Sequence, residues 1–134
     1  MRPGRRGLLV PLLVGLVLLA GLAAGTPTGI PDVDATLPEG RVAPGEVTTL
    51  EVQVSNDARL VAASATNPAL NERVTTADGV TLEVRSGGTP LAIRTGELAL
   101  GSLPDGAVRT VDIEVAVDED AEPGRYRLPF RLEY

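Results

Sequence analysis

The sequence predicts an all-β protein: an antiparallel β-sandwich of about seven short strands, set behind an N-terminal hydrophobic segment. Three observations predict it. After Pro31, apolar and polar residues alternate with a period of two, as strands with one buried and one wet face require. The alternating runs are short and bounded by Pro, Gly and Asp turn signals. Outside the N-terminus no long stretch has helical period, which points to sheets packed on each other rather than on helices.

The chain opens with a targeting segment. Arg2, Arg5 and Arg6 precede an uncharged run, Leu8 to Ala24, and the first acid is Asp32. A basic region followed by an apolar one directs export, and Ala23 and Gly25 would suit cleavage before Thr26. The run is also near the lower limit for a membrane span, so an uncleaved anchor with the body outside is the alternative. Arg5-Arg6 followed by Gly7-Leu8-Leu9 fits ordinary signal charges or a twin-arginine signal. The expected organisation is a signal peptide or anchor over residues 1–25, a Thr/Gly/Pro linker over 26–31, and one domain over 32–134.

Val33, Ala35 and Leu37 alternate with Asp32, Asp34 and Thr36 and predict a first strand, broken by Pro38-Glu39-Gly40. Ala43-Pro44-Gly45-Glu46 predicts a turn, because Pro fixes φ and Gly permits a positive one. Leu50, Val52 and Val54 then face inward until Asn56-Asp57 ends the run. Residues 58–79 carry weaker signals: a strand around Leu60 to Ala65, a turn or helix start at Asn67-Pro68, and a helical turn from Ala69 to Arg73. Asp78-Gly79 reads as a turn before Val80, Leu82 and Val84, which end at Ser86-Gly87-Gly88. Leu91 and Ile93 continue the pattern, with Leu98, Leu100 and Leu103 after Gly96, and Pro104-Asp105-Gly106 turns the chain again. Val111, Ile113, Val115 and Val117 form the clearest alternation.

The closing segment holds every aromatic residue of the chain. With a period of two, Tyr126, Leu128, Phe130, Leu132 and Tyr134 share one face, predicting a final strand that carries the large side chains of the core. On that reading Phe130→Ala costs about 3–5 kcal/mol.

Charge excludes several functions. Basic charge is all arginine, and residues 26–134 carry nine arginines against eighteen acids. An acidic body without clustered cations is unsuited to nucleic acid or to an anionic membrane surface. Without cysteine there is neither a disulfide nor an acyl anchor. Without histidine, cysteine or lysine the Ser-His-Asp, Cys-His and Ser-Lys devices are unavailable, as are the usual zinc ligands. No carboxylate pair stands out from the surface charge, so the expected protein is not an enzyme and has no cofactor.

Val42-Ala-Pro-Gly-Glu46, the strand ending in Asn56, Gly101-Ser-Leu-Pro-Asp-Gly106, the strand to Val117 and Asp120-Ala-Glu-Pro-Gly-Arg-Tyr126 together carry a resemblance. They resemble the Ig-like domains of archaeal S-layer-associated and other exported proteins, and are similar to CARDB-type adhesion-related modules and the NPCBM-associated domain of α-galactosidases. The lysine-free, acid-rich body also resembles haloarchaeal proteins. The resemblance implies a non-catalytic surface module and structural roles for Pro44, Gly45, Gly124, Tyr126 and Phe130. A glycine often follows the asparagine in such families; here Asp57-Ala58-Arg59 follows it.

Two sites remain as expectations. Asp118, Glu119, Asp120 and Glu122 form an acidic turn, and Asp32 and Asp34 a second pair, offering hard oxygen ligands to Ca²⁺ without EF-hand spacing; solvated surface acids are the plainer reading. A glycan site would need an exposed aromatic platform, and Tyr126, Phe130 and Tyr134 all fall on the predicted core face, so an exposed Tyr134 would favour one. The expected function is an extracytoplasmic interaction or structural module with an unspecified protein or envelope partner, touching the membrane through residues 1–25 if that segment is uncleaved. The alternative is a carbohydrate- or substrate-binding accessory module.

Overall fold

A computed structural model describes residues 25–134. The expected signal or anchor segment lies outside the described residues. Among the described residues nine strands and one helix occur in the order β1 (Thr28–Ile30), β2 (Val33–Thr36), β3 (Val47–Asn56), β4 (Arg59–Ala62), α1 (Pro68–Thr75), β5 (Ala77–Val84), β6 (Leu91–Ile93), β7 (Leu98–Leu103), β8 (Val108–Val117) and β9 (Phe130–Glu133).

Seven of the strands build two antiparallel sheets, one ordered β2-β3-β8-β6 and the other β7-β5-β9. The long pair β3 and β8 runs in unbroken register from Val47 opposite Ala116 to Ser55 opposite Val108. Its alternation explains the packing: Leu50, Val52 and Val54 with Ile113 and Val115 are buried, as are Val80, Leu82 and Val84 from the facing sheet. These form one hydrophobic core with Val33, Ala77, Leu100 and Leu103. The core is made almost wholly of valine and leucine, whose branched side chains suit a pleated, half-buried surface.

Three features depart from the sequence reading. Thr28–Ile30, within the stretch read as a linker, is strand β1 and pairs with β4 as a separate two-stranded ribbon. Gly29 allows this ribbon to lie on α1, since a Cβ there would stand 2.4 Å from the Val74 carbonyl oxygen. Asp78-Gly79 is no turn: β5 runs through it, with Gly79 at φ +65 and a register shift against β7 between Ala77 and Val80. The partner of Val80 is Gly101, also at positive φ. The irregularity puts Leu100 and Leu103 both inward despite their odd spacing.

The third departure is the closing segment. Strand β9 begins only at Phe130. Leu128, Phe130 and Leu132 are half-buried against the core, but Tyr126 and Tyr134 are 46% and 56% exposed. Period two holds only where a ladder fixes the backbone, and Pro129 has no N–H to extend one. The predicted turns at Pro44-Gly45 and Gly87-Gly88 do form: Glu46 N donates to Ala43 O with Gly45 at φ +75, and Thr89 N to Ser86 O with both glycines positive.

Candidate functional site

The two ends of the sandwich differ, and the difference locates the site. At the end where β3 finishes, Asn56 is fully buried. Its Nδ2 donates to the carbonyls of Thr75 (2.9 Å) and Leu103 (2.8 Å), and its Oδ1 accepts from Asp32 N at 3.0 Å. Its backbone N–H donates to Ala107 O and its carbonyl accepts from Gly106 N. One amide thus ties together β2, α1, β7 and the Pro104–Ala107 turn, and every polar atom of its side chain has a partner. Asp57 N to Asp32 O and Ala58 N to Asp105 Oδ1 complete the closure. This role escaped the sequence reading because an Asn before Asp looks like turn chemistry; only its place two residues after Val54, on the buried side of the alternation, signalled it.

The opposite end is open. Between the β2–β3 connection and the segment joining β8 to β9 lies a groove of about 820 Å³. Leu50, Leu91, Val117, Leu128 and Phe130 supply its apolar walls; Arg41, Arg125, Glu122 and Tyr126 contribute polar groups. Ligand pockets commonly fall between roughly 300 and 1,000 Å³ with mostly apolar linings. The groove exists because residues 118–129 form no strand, so no paired backbone with inward side chains closes the core here. The Tyr126 hydroxyl donates to the carbonyl of Glu122 at 2.5 Å, clamping the Pro123-Gly124 turn while the residue stays exposed.

The residues singled out in the sequence converge on this end. Pro44, Gly124, Tyr126 and Phe130 line the groove. Gly45 donates to the carbonyls of Val117 and Asp118, fastening the β3 entry to the β8 exit. Gly124 has open space where a Cβ would be and no positive φ. Asp118, Glu119, Asp120 and Glu122 are exposed on the same connection, and Asp118 Oδ1 accepts from Asp120 N at 3.4 Å. Among the described residues no group of three or more acidic side chains converges as metal ligands.

The outer faces of the sheets carry contrasting charge. On the smaller sheet, Glu83 lies opposite Arg131 and pairs with Arg85 at 3.0 Å, while Arg131 pairs with Glu133 at 2.7 Å. The hydrogen bond from Arg85, assisted by the charges of Arg85 and Arg131, holds the Glu83 carboxyl below its ordinary 4.5, and raises Arg85 in turn. On the larger sheet, Glu51 lies directly opposite Asp112, with Asp34 and Glu114 on the same face. Of these only Glu114 has a cation beside it, Arg94 at 3.4 Å. Like charges opposed across strands repel.

No protein-family model matches the chain, and no curated protein matches it in sequence. Among the described residues no helix is long and apolar enough to cross a membrane. The described chain is a β-rich domain of packed antiparallel sheets.

Proposed function

We propose that this chain is an exported, non-catalytic Ig-like module that offers the open end of its sandwich to a protein of the cell envelope. The observation that carries the reading is the apolar groove with an accessible tyrosine at its edge, at the end of the domain left unclosed by strands. An accessible aromatic beside an apolar wall is a common anchor for a partner's side chain. The export reading rests on the basic and apolar segments that precede the domain.

The test places a photo-crosslinking residue at Arg125 in the full chain, expressed in its own cells. A discrete protein adduct, lost in the Leu128→Arg variant and not formed from a crosslinker at Thr49 on the sheet face, supports the reading. Equal adducts from both positions would remove it.

A second reading has its own observation. Tyr126 and Tyr134 are exposed, which favours a carbohydrate-binding module over what the sequence suggested. Saccharide titration followed by the Tyr126 and Tyr134 ring resonances discriminates the two: shifts with sugar and no protein adduct would select the glycan.

A high-salt habitat is a further part of the proposal, supported by the opposed Glu51 and Asp112. Salt screens such exposed pairs. Glu51→Gln should stabilise the domain by roughly 0.2–1 kcal/mol at low ionic strength and by much less in molar salt. A salt-independent gain would contradict it.

A further inference from the structure

The apolar run Leu8–Ala24 ends four residues before β1 begins at Thr28. A fully extended chain spans at most about 3.3–3.6 Å per residue, so Thr28 lies within roughly 14 Å of the end of that run. Whatever holds the run therefore also holds the β1–β4 ribbon close by. The ribbon belongs to the closed end of the sandwich, because β1 leads into Asp32, whose N–H bonds Asn56, and β4 begins three residues after Asn56 ends β3.

Several large apolar side chains are exposed at this end. Ile30 is 50% exposed, Leu60 41% and Val61 60%. Ile30 lies opposite Arg59 in the ribbon, so Ile30, Arg59 and Val61 share one face, away from the face on which Gly29 meets α1. Val108, 63% exposed, begins β8 at the same end. An arginine beside exposed aliphatic side chains can send its stem along the apolar surface and its charge to the interface.

We propose that the β1–β4 ribbon docks on the membrane surface through Ile30 and Val61, with the Arg59 stem between them, so that the closed end faces lipid and the groove faces away from it. The inference rests on retention of Leu8–Ala24 as a membrane anchor. The contact is hydrophobic: Asp32, Asp57 and Asp105 lie around this end and disfavour anionic lipid. The ten residues of β3 separate the two ends by about 30 Å at ~3.4 Å per residue. The groove is thereby held clear of the headgroups, toward a partner in the envelope.

The chain has no tryptophan, so single tryptophans report position cleanly. The experiment uses the full-length chain, with intact mass confirming residues 1–24, reconstituted into phosphatidylcholine vesicles with brominated acyl chains. Val61→Trp and Ile30→Trp report the ribbon; Val47→Trp, 55% exposed at the opposite end, is the reference. All three are exposed positions, and matching thermal melts confirm the folded state. Blue-shifted emission with strong loss by bromolipid at both ribbon positions, and little loss at position 47, is the expected result. Equal quenching at the two ends in protein that floats with the vesicles overturns the docking while leaving the anchor intact. Protein that does not float overturns the anchor reading, and the docking with it.

Discussion

Both ends of this sandwich use the same materials, Pro-Gly-Asp turns joining valine-rich strands, yet they finish differently. At the closed end one side chain, Asn56, supplies two donors and an acceptor to three separate segments and is fully buried in doing so. At the open end the segment from Asp118 to Pro129 forms no strand, and the edge of the core faces a groove. A small all-aliphatic core can be sealed by a polar hub whose hydrogen bonds are all made, because the groups it satisfies would otherwise be buried without partners. Where no such hub exists the same core leaves apolar wall accessible, and that wall is available for recognition.

The largest effect should come from Asn56→Ala. It strands the Asp32 amide and the Thr75 and Leu103 carbonyls, at about 1–3 kcal/mol for each that stays buried, so a loss of roughly 3–5 kcal/mol is expected. Chemical denaturation measures it; a loss below about 1 kcal/mol would mean that the hub is not the seal. Gly29→Ala tests the same end from outside, since its Cβ would press on the Val74 carbonyl. Overpacking of this kind costs about 1–3 kcal/mol, with exchange of β1 and β4 amides rising before those of β3. An unchanged melt would show the ribbon to be free of α1.

Phe130→Ala probes the open end. Because Phe130 is half-buried at the groove, the cost should be about 2 kcal/mol rather than the 3–5 of a fully enclosed phenylalanine. A larger loss, equal to that of Asn56→Ala, would erase the distinction between the ends. The smallest effect is electrostatic and lies away from both. With its folded pKa depressed by Arg85 and Arg131, Glu83 takes up a proton more readily in the unfolded chain. Its contribution is therefore present above the unfolded pKa and lost as pH falls through the lower folded value. Glu83→Gln should lower stability slightly at neutral pH and leave it unchanged at acid pH, where the carboxyl is protonated, so that the acid side of the profile flattens; a steeper acid limb would reverse the assignment.

Much of the fold is legible in the sequence where a ladder enforces period two. Leu50, Val52 and Val54, Val80, Leu82 and Val84, and Ile113, Val115 and Val117 are buried as their alternation predicts. The Pro44-Gly45 turn is legible because the two residue types specify one backbone geometry. The illegible parts are those decided by distant contacts. Thr28–Ile30 has little strand character and becomes a strand because β4 is beside it; Gly79 resembles a turn residue and instead lies in a register shift next to Val80, whose partner is Gly101. Extending the β9 alternation back past Pro129 places Tyr126 inward, but no strand ladder sustains the alternation there. The groove follows from that same break, which is why its residues were recognisable individually as structural but not as the lining of one cavity.

The contrast between the ends is tested most directly by residue-resolved amide hydrogen exchange under native conditions. The amides of Asp32, Asn56, Gly106 and Ala107, all hydrogen-bonded at the closed end, should exchange only through global unfolding. Those from Glu122 to Leu128 should exchange through local opening at far lower free energy. Protection of the second group equal to that of the first would contradict the account, because the open end would then be sealed as firmly as the other.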